Sequence, residues 1–143
     1  MKRILFALAL AGLVTTAMAA APALPTTAAP AGAEVYIISP ADGATVGPEV
    51  TVRFGLKGMG VAPAGVVKEN TGHHHLLVDV KDLPAAGQPI PADAQHIHFG
   101  GGQTQTTLKL TPGTHTLQLE LGDANHVPFE PALVSKKITI HVK

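Results

Sequence analysis

The sequence has no cysteine and no tryptophan, and its aromatics are one tyrosine and four phenylalanines. Without thiols there is no disulfide to brace the fold, no cysteine nucleophile and no soft thiolate ligand. Serine is nearly missing as well. Ser39 and Ser135 are the only two, and neither sits in a nucleophile elbow. The carboxylates are scattered through turns and strand faces, with no pair of the kind that cleaves glycosidic bonds. These absences point to a non-enzymatic protein. The one catalytic option left open is a hydrolytic metal site with three ligands and a free position.

Long apolar runs are also few. Lys2 and Arg3, the apolar stretch Ile4 to Val14, and Ala17-Met18-Ala19 have the layout of a Sec-type signal peptide, so residues 1–20 are expected to be removed on export. No cysteine follows to carry a lipid, and no later segment has the length of a transmembrane helix. The mature chain is therefore expected to be periplasmic or secreted, soluble and without membrane insertion. Losing Lys2 and Arg3 leaves eight basic against ten acidic residues, a charge of −2 with neutral histidines. That balance provides no basic patch for nucleic acid or an anionic membrane surface. Residues 21–33 are Ala, Pro, Thr and Gly with little to bury, and read as a disordered tether. Residues 34–143 are enough for one domain.

What is present within that domain is short-range alternation. Residues 49–59 alternate Val50, Val52, Phe54 and Leu56 with Thr51, Arg53, Gly55 and Lys57, as a half-buried strand does. Similar stretches lie at 35–39, 72–80, 96–99, 103–110, 114–121 and 135–142, separated by Pro and Gly turns, and no window sustains a helical period. About seven short strands without crossover helices predict an all-β, antiparallel two-sheet sandwich of immunoglobulin-like type. An eight-stranded jelly roll or small barrel is the competing arrangement.

All eight histidines lie in this domain, three of them consecutive at the start of the strand Gly72-His-His-His-Leu-Leu-Val-Asp-Val80. Alternation splits the run. His74 shares a face with Leu76, Val78 and Val80, which predicts a core position and a hydrogen-bonded, structural role. His73 and His75 share the other face with Leu77 and Asp79 and are expected to point outward. In His96-Ile97-His98-Phe99 the same argument sends Ile97 and Phe99 inward and both histidines outward. In a seven-strand sandwich the start of the third strand, the end of the fourth and the last loop meet at one end, which gathers His73, His98 and His126. If the fourth strand also pairs beside the third, His73 can face His98 and His75 can face His96, with β-carbons about 5 Å apart.

The candidate metal ligands are thus His73, His75, His96, His98 and His126. Glu120 offers a carboxylate near the same end, and Asp123 and Asn125 lie in the loop that carries His126. Imidazoles without sulfur suit Cu(II) first and Zn(II) second. Met59, the sole methionine beyond residue 20, would be the one soft ligand for Cu(I). Asp79, Asp93 and Asp123 are candidate acceptors for imidazole N–H groups. His115, at the start of its strand after Pro112-Gly113, occupies the place of the tyrosine in a tyrosine corner and is expected to bond back to that turn. His141 receives no role. Two functional readings stay open: a divalent-metal-binding protein, or an envelope-associated module whose His, Gly and Gln103 surface contacts a protein or glycan without metal.

The blocks GHHHLLVDV, IPADAQHIHFGGGQTQTTLKLTPGTHTLQLELGDANHVPFEP and SKKITIHV, in that order over about residues 35–143, resemble the bacterial exported family known as domain of unknown function 4399. The resemblance implies a small β-rich periplasmic domain and no established activity. In that family the last block often reads His-x-Pro-His, whereas here His126-Val127-Pro128 is followed by Phe129. The opening SPADGATV is similar to the start of periplasmic copper-resistance proteins of the CopC type, which are immunoglobulin-like copper binders. That likeness spans one strand end and a turn.

Overall fold

A computed structural model describes residues 21–143, so the expected signal peptide lies outside the described residues. Nine strands follow in order: β1 (Glu34–Ser39), β2 (Thr45–Val46), β3 (Glu49–Lys57), β4 (Gly60–Val61), β5 (Thr71–Val78), β6 (His96–His98), β7 (Gln105–Lys109), β8 (Gly113–Gly122) and β9 (Ile138–Val142). The seven expected strands are all there, joined by the two-residue strands β2 and β4. No helix among the described residues is long and apolar enough to cross a membrane.

The strands form two sheets, β1-β3-β7 and β2-β9-β8-β5-β4, with β6 added on β5. The first sheet is antiparallel, while the second is mixed because β2 runs parallel to β9 and β4 parallel to β5. The fourth main strand beside the third is the arrangement by which variable-type immunoglobulin domains extend their second sheet. Alternation builds the core: Val50, Val52 and Phe54 of β3 meet Leu76 and Val78 of β5, Leu117, Leu119 and Leu121 of β8, and Ile138, Ile140 and Val142 of β9. Burying each of these branched side chains contributes roughly 1.5–3 kcal/mol. No disulfide is needed.

The outer face of the second sheet departs from the expected pattern. His73 and His75, expected to be solvated, are 1% and 0% exposed, and Leu77 on the same face is 1% exposed. The loops after β5 and β8 meet over that face, the amide of Ile90 donating to the carbonyl of His126, while residues 133–135 run antiparallel along the edge of β8, the amide of Leu121 donating to Leu133. β5 and the end of β8 are therefore buried on both faces.

The N-terminal segment takes part in this cover. Its composition suggested a free tether, yet Leu24 donates its amide to Gly87, Ala29 to Glu130, and Glu130 to Thr27. Backbone groups make these attachments, so a segment with little side chain to bury is still laid against the domain.

Candidate metal centre

Four imidazoles converge beneath that cover. β5 projects His73 and His75 to one face; β6 supplies His98, which pairs directly with His75. His126 comes from the loop after β8, where its backbone adopts a positive φ of 65°. Ring centroids stand 4.8 Å apart for His73 and His75, 5.0 Å for His73 and His98, 5.0 Å for His73 and His126, and 4.5 Å for His98 and His126. One ring nitrogen from each of His73, His98 and His126 lies within 4.8 Å of the others. Donors around a tetrahedral ion with bonds of about 2.0 Å stand roughly 3.3 Å apart, so the trio is at most about 1.5 Å wider than ligand spacing.

Glycines make the space. A β-carbon on Gly122 would lie 2.8 Å from Cε1 of His75, and one on Gly100 would lie 2.5 Å from Cε1 of His98. The glycine triplet expected to serve a turn thus also seats a ring. Asp123, 5% exposed, shapes the loop that carries His126. Its Oδ1 accepts from the amides of Asn125 and Val127, and its Oδ2 from the Thr27 hydroxyl at 2.7 Å. It was read as an acceptor for an imidazole; in the fold it is occupied by the loop instead.

Residues 52–143, from β3 to the end of the chain, match the family model described as Domain of unknown function (DUF4399). The chain belongs to the DUF4399 family. No curated protein and no solved structure gives a significant match. The matched stretch carries every histidine of the cluster and begins after the turn that looked similar to copper-resistance proteins.

Within the cluster of this DUF4399 domain, the surroundings of His73, His75 and His98 disfavour their protonated forms. Neither nitrogen of His73 or His75 has a hydrogen-bond partner, and Nε2 of His98 lacks one too. Burial, followed by the neighbouring His126 and His98, lowers the pKa of His73 to about 4. Burial, then His73 and His98, lowers that of His75 to about 3. His98 is also lowered, by burial first and His126 second. Glu120 faces His75 across the β5–β8 pair, fully buried, with both carboxylate oxygens unpartnered. Burial raises its pKa to about 7.

Other expected site residues fall elsewhere. His96 pairs with Leu77, not His75, because the β5–β6 register is offset by two residues from the expected one. Its Nδ1 is 2.9 Å from Asp93 Oδ1, which also accepts the His96 and Gln95 amides. Met59 packs against the main core, and Phe129 is part of it. His74 is in the core as expected, its ring 5.2 Å from that of Phe54, but neither nitrogen is hydrogen-bonded. His115 does bond back to its turn, Nε2 lying 2.8 Å from the Thr111 carbonyl, while Nδ1 lies 2.7 Å from Asp79.

Sequence reasoning missed Ile90, Gly100 and Gly122 as parts of the site. The available signal was Leu77, an apolar residue on the face assigned to solvent. A cavity of about 190 Å³ lies beside the cluster, bordered by Thr27, Val66, Lys68, Asp123 and Asn125 among others, and none of the histidines lines it.

Proposed function

We propose that this protein is an exported, non-enzymatic domain that binds a divalent transition metal, copper first and zinc second, through His73, His98 and His126, with His75 as the adjoining imidazole. The observation that carries the reading is the convergence of four histidines, two of them fully enclosed, whose ring nitrogens have no other partner. Such groups cost roughly 1–3 kcal/mol each when buried unpaired, and a bound ion would satisfy them. Neutral imidazole is the ligand form, and the rings of His73 and His75 resist protonation well below neutral pH. With nitrogen and carboxylate donors and no sulfur, the donor set favours Cu(II), then Zn(II).

The export part of the proposal is supported by the signal-peptide layout of residues 1–20 and fits a periplasmic or secreted domain. The non-enzymatic part draws on the lack of cysteine and of a serine in a nucleophile elbow. The metal-independent surface reading gains nothing from Gln103, whose Oε1 accepts the Gly101 amide 3.0 Å away and so closes its own turn.

Titrating the cleaved, tag-free protein with Cu(II) and Zn(II) by calorimetry tests the proposal. The expected result is one ion per chain, with affinity lost in a His73→Ala/His98→Ala variant. Equal heats from wild type and variant would end it.

A further inference from the structure

We propose that Glu120 sets the charge preference of the histidine cluster, making it a site for a divalent rather than a monovalent cation. This rests on the reading that the cluster binds metal.

Four neutral imidazoles can hold an ion but cannot balance its charge. In a water-poor site that imbalance is expensive, and it is greater for a 2+ ion than for a 1+ ion. A carboxylate is needed close by, and the nearby acids are mostly committed. Asp123 accepts three hydrogen bonds from Thr27, Asn125 and Val127. Asp93 serves His96 and Gln95, and Asp79 serves His115 and Thr116.

Glu120 alone among the buried carboxylates has both oxygens unpartnered. Its position is set by strand pairing: it is the antiparallel partner of His75, which in turn is the partner of His98. Directly paired residues present side chains to the same face, so Glu120, His75 and His98 form one row across β8, β5 and β6. The carboxylate can accept the free N–H of His75 or approach the ion itself. Either contact puts one negative charge beside the cation, and a carboxylate behind a ligating imidazole also raises its basicity.

The test compares Zn(II) with Ag(I), a monovalent probe, by calorimetry on wild type, Glu120→Gln, Glu120→Asp and His73→Ala, with thermal melts confirming the fold. Glu120→Gln keeps shape and removes charge. It is expected to weaken Zn(II) at least tenfold and to change Ag(I) less than twofold, while Glu120→Asp recovers part of the Zn(II) affinity. Equal losses of both ions in Glu120→Gln, an unchanged Zn(II) affinity, or no recovery in Glu120→Asp would overturn the role of Glu120. His73→Ala separates the two proposals: if it loses Zn(II) while Glu120→Gln does not, the cluster stands and the charge role falls. Absence of Zn(II) binding by wild type would overturn the charge role, and absence of Cu(II) binding as well would remove the metal reading.

Discussion

His98 stands opposite His75 across the β5–β6 pair, and the two rings are stacked at 27° with centroids 5.0 Å apart. This single register decides which half of the His-x-His unit on β6 belongs to the cluster. Moved by two residues, the pairing would have put His96 opposite His75 and His98 opposite His73, with both in the cluster.

The first prediction separates those two residues. His98→Ala should weaken Cu(II) and Zn(II) binding by tenfold or more, whereas His96→Ala should leave both within about twofold, because its ring is held by Asp93. Competition with a chromogenic chelator measures both. Equal effects would contradict the register.

His74 should behave unlike its neighbours. Its ring lies against Phe54 in the core with two unpartnered nitrogens, so burial costs it free energy without return. Replacing such a group by an apolar one of similar size is neutral or stabilising. His74→Leu is expected to raise the urea midpoint, or leave it unchanged, and to preserve metal affinity. A loss of more than about 1 kcal/mol would show that the ring has a polar partner.

Acid should destabilise the metal-free protein. His73 and His74 have folded pKa values of about 4 against an ordinary 6.5, so between those limits the unfolded chain takes up protons that the folded one refuses. Stability is then full above pH 6.5 and declines as the pH falls toward 4. For His74 alone the loss is on the order of 3 kcal/mol, at about 1.4 kcal/mol per pKa unit. Glu120 acts in the opposite sense, because its raised pKa favours the folded state below pH 4.5 and that contribution disappears as the pH passes about 7. Four depressed histidines outweigh the raised Glu120 and His115, so urea midpoints at pH 7 and pH 4.5 should differ in favour of neutral pH.

The Asp79–His115 pair offers a test of a structural histidine. Hydrogen bonding to Asp79, then to the Thr111 carbonyl, raises the pKa of His115, since both ring nitrogens are set to donate. Its stabilisation is present below the ordinary pKa and is lost as the pH rises through the folded one. Asp79→Asn should bring the His115 titration, followed by NMR, back toward 6.5 while leaving metal affinity intact.

Much of this was readable from alternation. The Val50, Val52, Phe54 series, the Leu117, Leu119, Leu121 series and the inward Phe99 all face the core, and the meeting of His73, His98 and His126 followed from reversing strand direction along the chain. Burial of the cluster was not readable in the same way. It depends on loops 79–95 and 123–134, whose hold on the sheet is made by backbone groups such as the Ile90 amide and by Asp123, and these leave no periodic trace. The β5–β6 register was also hidden, because a three-residue strand fits two registers equally well by pattern. The observed one is held by the Val78 amide bonded to the Gln95 carbonyl and the Phe99 amide bonded to the His74 carbonyl.

The cover over the cluster bears on time as well as affinity. His126 is tied by the Ile90 amide bonded to its own carbonyl, and its loop is fastened by Thr27 through Asp123. On the metal-binding proposal, release from the loaded protein is expected to follow local opening of these contacts and not the strength of a competing chelator. Its rate should level off as chelator concentration rises, and removing the Thr27 hydroxyl should raise that plateau.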